Sequence, residues 1–238
     1  RMLKSIKYLI ILLLFLGMSD SYAQRRKKPK NLARYDFKKL HFGFTLGLND
    51  LNFNINKNSS TLNNDTLLTL LSNSQKGFNL GIVSNLRIGK YTDLRFIPTL
   101  VFGERHLNFG FIDSNGVSDE QIKRIESTLI DFPVYIKYKS ERYNNFRTYV
   151  LGGIKYSLDI ASQDKIDDEG KEIVKLKKND LMGEIGFGID FYLEYFKFSP
   201  QIKLSYGILN LLSKDETVYT KSINRLSTNG WMISFTFE

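Results

Sequence analysis

Short stretches in which apolar and polar residues alternate strictly recur along the whole chain. In residues 41–48 (HFGFTLGL), Phe42, Phe44, Leu46 and Leu48 alternate with His41, Gly43, Thr45 and Gly47. A period of two puts successive side chains on opposite faces of a β-strand. The same pattern predicts eight strands, in residues 41–48, 77–89, 93–105, 129–138, 146–158, 181–191, 196–206 and 230–238.

Charged residues and glycines share the face opposite the large apolar residues. A water-facing sheet could carry the charges, but glycine weakens an exposed strand. A narrow barrel lumen favours both, because chains crowd there and opposite charges can neutralise each other. We therefore expect the apolar face, including Phe42, to contact lipid and His41 to face the lumen or its mouth. The predicted lumen charge network consists of Arg87, Arg95, Arg105, Asp131, Lys137, Arg147, Lys155, Glu184 and Asp190.

The connections between the predicted strands alternate between long and short. About twenty or more residues follow the first, third, fifth and seventh strands, and only a few follow the second, fourth and sixth, as in outer-membrane barrels. The sequence therefore predicts an all-β fold, an eight-stranded antiparallel transmembrane β-barrel with long outer loops and short periplasmic turns. An even strand number places both termini in the periplasm of a Gram-negative cell.

Two local patterns modify this prediction. Pro98, Pro133 and Pro200 fall inside predicted strands, where proline removes a ladder hydrogen bond, so bulges or local breaks are expected there. In the long connection after the third predicted strand, VSDEQIKRIEST (117–128), Ser118 and Gln121 have the spacing of a helix capping box. This predicts a short helix within the loop.

The N-terminal region divides into two segments before the barrel. Lys4 and Lys7 precede an apolar run, Leu9–Leu16, and a small-x-small site that ends at Ala23, which predicts a cleaved signal peptide over residues 1–23. Residues 24–39 hold eight Lys and Arg against Asp36, a net charge of +7 out of +9 for the whole chain. We interpret them as an extended basic periplasmic arm, followed by the barrel domain, residues 40–238. The arm residues predicted to contact a partner are Arg25, Arg26, Lys27, Lys28, Lys30 and Arg34.

The arm has two interpretations. It can bind anionic lipid headgroups or an acidic partner, or it can be a solvated tether. Nucleic-acid binding would need a basic face on a folded element, and the positive charge lies instead in the tail, so no nucleic-acid partner is expected.

The composition offers little for catalysis. The chain has no cysteine, which excludes disulfides and thiolate sites, and only two histidines, His41 and His106. His106 with Asp113 and Ser114 could imitate the outer-rim site of a barrel enzyme, but a solvated loop histidine is the favoured interpretation. The acidic stretch 163–172 lacks the alternate-position ligands of a calcium loop. We expect no catalytic residue, metal, cofactor or small-molecule substrate.

Several segments resemble the PorT family of Bacteroidetes outer-membrane proteins. They are YDFKKLHFGFTLGLN (35–49), STLIDFPVYIKYKSER (127–142), NFRTYVLGGIKYSLDIAS (145–162), GFGIDFYLEYFKFSPQIKLSYGILNLL (186–212) and the terminal WMISFTFE. The resemblance implies a non-enzymatic assembly or accessory role in type IX protein secretion, with outer-membrane lipid and other secretion components as partners. Adhesion or envelope stability is the alternative, followed by an outer-membrane enzyme. The last residue is Glu238, whereas outer-membrane barrels usually end on an aromatic residue.

Overall fold

The computed structural model describes residues 29–57, 67–112, 118–161, 176–212 and 223–238. A 3-10 turn, Tyr35–Phe37, precedes the first strand. The strands are β1 (Leu40–Lys57), β2 (Leu67–Arg87), β3 (Thr92–Phe96), β4 (Thr99–Ile112), β5 (Ser118–Lys139), β6 (Phe146–Asp159), β7 (Asn179–Tyr192), β8 (Lys197–Gly207) and β9 (Ile223–Phe237).

The strands form one closed antiparallel ring. Apart from β3 and β4, strands that are consecutive along the chain pair with each other, and β1 pairs with both β2 and β9, which closes the ring. Strands β3 and β4 both pair with β2 on one side and β5 on the other, so they act as one interrupted strand. The predicted eight-stranded antiparallel barrel is confirmed. Among the described residues, no helix is both long and apolar enough to cross a bilayer.

The three prolines disturb the ladders in different ways. At Ile97 and Pro98 the backbone leaves the sheet between β3 and β4, which is the predicted strand break. Pro133 of β5 lies opposite this break. Strand β5 nevertheless continues through Pro133, because β5 pairs with β6 without interruption. Pro200 likewise keeps its place opposite Phe235 of β9, but the pairing of β8 with β7 is interrupted between Gln201 and Phe198.

The predicted helix over residues 117–128 is wrong. Residues from Ser118 onward belong to β5, which pairs with β4 continuously from Ile112 opposite Ser118 to Thr99 opposite Asp131. The cross-strand ladder overrides the local capping pattern, and inward side chains such as Ile125 gain apolar contacts that a loop helix would not provide. Much of the sequence assigned to long loops is therefore strand that extends beyond the membrane.

The two ends of the barrel differ. At the short-turn end, residues 88–91, 140–145 and 193–196 connect adjacent strands, and Asn144 adopts a positive φ of 52° within one of these turns. The long-loop end carries the other four connections. Between the ends, outward side chains such as Phe42, Phe44 and Leu48 of β1 form an exposed apolar belt. Beyond Leu48 the outward residues of β1 turn polar, beginning with Asp50.

Part of the predicted basic arm is folded. Residues 31–39 lie over the short-turn end, where the Asn31 amide donates to Asn145 and its side chain donates to the Tyr192 carbonyl. Sequence reasoning treated the whole of residues 24–39 as extended, because nothing in its composition marks contacts with the barrel. The N-terminal segment, as we call residues 31–39, is instead held by polar groups of the barrel.

Candidate functional site

Inward-facing side chains fill the lumen. On β6 and β7 every second residue points inward, and glycines stand where a larger neighbour needs the space. A Cβ added at Gly188 would lie 2.4 Å from the Tyr149 ring, and one at Gly153 would lie 2.9 Å from the Tyr135 Cα. The prediction that glycine occurs where the lumen is crowded is thus confirmed at these positions.

A first ion-pair cluster lies on β5, β6 and β7. The Lys155 ammonium is 3.1 Å from Asp131 Oδ2 and 2.8 Å from Glu184 Oε1. Ser157 donates to Asp131 over 2.6 Å, and the Tyr135 hydroxyl donates to Glu184. These side chains are buried and have little contact with water. The negative charge of each carboxylate is therefore stabilised by its protein partners.

A second cluster is centred on Asp190, nearer the short-turn end. Lys137 Nζ donates to both carboxylate oxygens, over 2.8 and 2.9 Å, and lies 3.6 Å from the centre of the Tyr149 ring. Arg147 Nε donates to Asp190 Oδ2 over 3.3 Å, and Ser199 donates to Oδ1 over 2.6 Å. The fully buried carboxylate therefore accepts hydrogen bonds from three strands, which ties them together at this level.

The third cluster is built around Glu238. Arg95 Nη2 donates to one carboxylate oxygen, and Lys197 Nζ donates to the other over 2.6 Å. Tyr35 of the N-terminal segment donates its hydroxyl to the same carboxylate over 2.9 Å, and its ring stacks on His41 at 4.0 Å. Burial, together with the Glu238 carboxylate, raises the pKa of the Tyr35 phenol. The phenol therefore stays protonated and remains a donor.

Asp36 fastens the N-terminal segment to the barrel mouth. Arg147 Nη2 donates to Asp36 Oδ1 over 2.8 Å, the Tyr192 hydroxyl donates to the same oxygen over 3.0 Å, and Arg142 lies 3.4 Å from Oδ2. Burial alone would raise the pKa of Asp36, but Arg147, Tyr192 and Arg142 outweigh it and lower the pKa of the carboxyl. Arg147 thereby joins the N-terminal segment to the Asp190 cluster.

The predicted network is divided among these clusters. Seven of its nine members join one: Lys155, Asp131 and Glu184 in the first, Lys137, Arg147 and Asp190 in the second, and Arg95 in the third. Arg105 instead donates to Ser127 and Thr228 and lies over the Phe53 ring. Arg87 is only half-buried at the barrel mouth, where it donates to the carbonyls of Asp36 and Gly89.

Sequence reasoning missed several partners. Asp93 accepts from Lys139 over 2.5 Å and from Asn85 over 2.9 Å, and neither Lys197 nor Glu238 was included in the network. Strand parity could have found them, because Asp93 is two residues from Arg95, Lys139 is two residues from Lys137, and Glu238 continues the inward series of Ser234 and Thr236. For Asp36, by contrast, the sequence carries no such signal.

At the long-loop end the lumen is apolar. The cluster that fills it consists of Phe53, Leu70, Leu107, Phe109, Leu176, Leu211, Ile223 and Leu226. Below it, beside Arg105 and Asp180, lies a cavity of about 20 Å³, which holds a single water at most. The interior is thus closed by apolar packing at one end and by paired charges and the N-terminal segment at the other.

The structure describes only some of the candidate chemical groups. His106 is on strand β4, not in a loop as expected, and its Nε2 is 2.6 Å from Glu104 Oε1 on the outer wall. Asp113, Ser114 and residues 163–172 lie outside the described residues, as do Arg25, Arg26, Lys27 and Lys28 of the arm. Lys30 and Arg34 are exposed. No group of three or more His, Asp or Glu within the described ranges could hold a metal ion.

Comparison with known proteins identifies the family. No curated protein matches the sequence. Among solved structures, Neisserial surface protein A is 11% identical with a TM-score of 0.43, over 84% of this chain and 98% of that one. The outer membrane protein OprG of Pseudomonas aeruginosa is 13% identical with a TM-score of 0.43, over 82% and 93%.

The sequence profile of the outer membrane protein beta-barrel domain matches residues 22–213. This match covers most of the chain, including seven of the eight barrel strands. The chain therefore belongs to the outer membrane protein beta-barrel domain family, and its location is the outer membrane.

Proposed function

We propose that this barrel is a non-enzymatic assembly or accessory component of type IX protein secretion. The observation that carries the proposal is the filled lumen: in the part of the chain that the structure describes, Arg95, Lys137 and Asp190 are buried across it at one level and the apolar cluster fills it at another. A barrel of this size is filled by its own side chains and cannot conduct a protein. Its function must therefore lie in its surfaces, and the resemblance to the PorT family supports secretion as the process.

A non-enzymatic role fits the state of the ionisable groups. His41 is committed to the Tyr35 carbonyl at 2.8 Å, and His106 to Glu104. The lumen carboxylates of Asp131, Glu184 and Asp190 are buried in ion pairs. A general acid or base must reach a substrate, and burial keeps the three lumen carboxylates away from the surface.

We further propose that both termini are periplasmic and that the basic residues of the arm contact a partner there. Asn31 and Glu238 both lie at the short-turn end, where outer-membrane barrels carry their periplasmic turns. Arg25, Arg26, Lys27, Lys28, Lys30 and Arg34 would supply the contact. An acidic face of another secretion component, or anionic lipid, is the complementary surface.

Deletion of the gene and measurement of secreted cargo tests the role. Loss of cargo from the medium, restored by the wild-type gene, is the expected result. Normal cargo export would contradict the secretion role and favour adhesion or envelope stability. In a second strain the basic residues 25–28 and 30 are changed to Gln. A correctly inserted barrel with reduced export supports the contact, whereas unchanged export makes the arm a tether.

A further inference from the structure

Strand β5 continues beyond the end of its neighbour β6 at the long-loop end of the barrel. The ladder between the two strands begins with Leu129 opposite Asp159, whereas β4 pairs with β5 as far as Ser118. Among the residues that the structure describes, residues 118–127 therefore have a partner strand on one edge only. At about 3.4 Å per residue, their other edge, which we call the outer edge of β5, is about 34 Å long.

The backbone of the outer edge can accept another strand. In an antiparallel sheet, alternate residues direct both backbone groups to the same neighbouring strand. The Thr128 carbonyl accepts from the Ile160 amide over 2.9 Å on the β6 side, so the even-numbered residues of β5 face that side. The amides and carbonyls of Ile122, Arg124 and Glu126 consequently point away from β4, and the structure shows no backbone partner for them within its described ranges.

The outer edge is held in an extended conformation. Its pairing with β4 runs from Ser118 to Asp131 without a register shift, and residues 118–127 include no proline and no glycine. On the inward face, Ile125 packs against the apolar cluster of the lumen. Many sheet proteins protect an exposed edge with a proline, a bulge or a very short strand, and the outer edge has none of these. It is therefore preorganised for strand pairing.

The side chains of the outer edge limit which strands can pair with it. Its outward side chains include Ile122, which is 54% exposed, and the exposed Arg124 and Glu126. Glu126 lies opposite Glu104 of β4, whose carboxylate contacts His106, and within the described ranges neither Arg124 nor Glu126 forms an ion pair. Opposite charges directly across a ladder stabilise the pairing, and like charges destabilise it. The edge therefore favours a strand with an acid opposite Arg124 and a base opposite Glu126.

We propose that the outer edge of β5 binds an extended peptide segment of another protein, which adds to the sheet as an antiparallel strand. Along its own chain direction, the segment carries a basic residue opposite Glu126, an acidic residue opposite Arg124 and an apolar residue opposite Ile122. The residue between the first two lies beside Ile125 and is apolar. A second copy of the barrel does not fit, because copies in one membrane share one orientation and their edges cannot run antiparallel. The site lies at the opposite end of the barrel from the arm and is independent of the proposed secretion role.

A fluorescently labelled peptide of sequence TKVETVT has this pattern and serves as the probe. It is titrated with the purified full-length barrel in detergent micelles, and its fluorescence anisotropy measures binding. We expect saturable binding, and about two- to thirty-fold weaker binding of the charge-exchanged peptide TEVKTVT, the range for two exposed ion pairs. The double variant Arg124→Glu, Glu126→Lys should reverse this preference. Lys90→Glu, an exposed charge change in a turn at the other end, should leave it unchanged.

Methylation of single peptide amides tests the backbone pairing separately. A methyl group on the amide of the acidic residue removes its hydrogen bond to the Arg124 carbonyl and should abolish binding, whereas methylation of the preceding valine, whose amide points away from β5, should not. Ile122→Pro removes an amide that faces away from β4, so this barrel should fold but lose the peptide.

Three results would overturn the proposal. The first is the absence of saturable binding to the wild-type barrel, and the second is equal binding of all peptides to all variants, which would indicate non-specific adsorption. The third is slow hydrogen exchange of the Ile122 and Arg124 amides without peptide, because the outer edge would then already be paired within the protein.

Discussion

Every carboxylate in the three lumen clusters has more than one partner. Glu184 accepts from Lys155, Tyr135 and Ser205, and Asp190 from Lys137, Arg147 and Ser199. Desolvation of a lone ion pair can cancel its attraction, whereas added hydrogen bonds to the same charge restore the balance. Removal of one charged group should therefore lower the free energy of unfolding by more than the ion pair contributes to it, because the partner groups stay buried without their counter-charge.

Glu184→Leu tests this directly. Loss of the carboxylate leaves Lys155 with Asp131 alone and leaves the Tyr135 hydroxyl without its acceptor. We expect a loss of about 3 kcal/mol in the free energy of unfolding, measured by urea titration of the barrel in micelles. Ile185→Leu, an outward neighbour on the same strand, is the control. Equal stability of Glu184→Leu and Glu184→Lys would mean that this face is hydrated.

Two glycines of β7 make a matched pair. Gly188→Ala places a Cβ 2.4 Å from the Tyr149 ring and 2.9 Å from the Pro200 carbonyl oxygen, so we expect a loss of about 1–3 kcal/mol from overpacking. Gly183→Ala adds a methyl group to open space and should leave stability unchanged or slightly higher. The same urea titration compares them, and equal effects would show that the Tyr149 ring moves aside freely.

The sequence predicted which face of each strand is buried, but it did not predict which buried charges meet. Alternation assigns Arg95, Lys137 and Asp190 to the lumen without structural information. Their pairing depends on the register between strands: Arg147 lies directly opposite Asp190, whereas Lys137 reaches the same carboxylate from a strand two places away. Glu238 continues the inward series of the last predicted strand, whereas Asp36 lies outside the predicted strands, so no periodicity marks Asp36.

At the level of the elements, the extended strands and the N-terminal segment were the two features that local patterns did not predict. The capping box at Ser118 is a local signal, whereas strand β5 is determined by its ladder with β4, which is non-local. The basic composition of residues 24–39 indicated an arm, but Tyr35 and Asp36 are the residues that decide where the segment lies. The hydrogen bonds and ion pairs of Tyr35 and Asp36 with the barrel, and not the positive charge of the neighbouring residues, determine the position of the segment.

Docking of the N-terminal segment should depend on pH. Arg147, Tyr192 and Arg142 lower the pKa of Asp36 in the folded protein below its ordinary value. The carboxylate therefore stabilises docking at neutral pH, and this contribution is lost as the pH falls below about 4, through the lowered pKa. A spin label on Lys38→Cys, in a chain without other cysteines, should become more mobile in this range.

Asp36→Asn is the companion variant. Asparagine keeps the size of the side chain but loses the charge, so the label should already be mobile at pH 7 and should respond little to acid. The barrel itself should remain folded, since its strands pair without residue 36. A label that is equally immobile in both variants at pH 7 would show that Tyr35 and its hydrogen bond to Glu238 are sufficient to hold the segment.

At the scale of the whole molecule, the barrel is a closed wall with two independent seals. The apolar cluster at the long-loop end includes Phe53, Leu107 and Phe109, which belong to strand extensions beyond the belt. The charge clusters and the N-terminal segment close the short-turn end. The interior thus contributes stability, and the outer wall, the loops and the arm remain as the surfaces that other molecules can reach.

Because the lumen is closed at both ends, we predict that the barrel does not conduct ions, even after the closure at one end is weakened. The purified protein in a planar lipid bilayer should show no stable conductance steps, because buried side chains fill the described lumen at the level of the charge clusters and at the level of the apolar cluster. Deletion of residues 31–37 removes Tyr35 and Asp36 but leaves the apolar cluster intact, so this variant should also stay closed. Replacing Leu107 and Phe109 with Ala in the same variant also removes part of the apolar cluster and leaves only the charge clusters across the lumen, and only then are brief openings expected. Steady conductance from the wild-type barrel would contradict the closed lumen and would indicate that the barrel functions in transport.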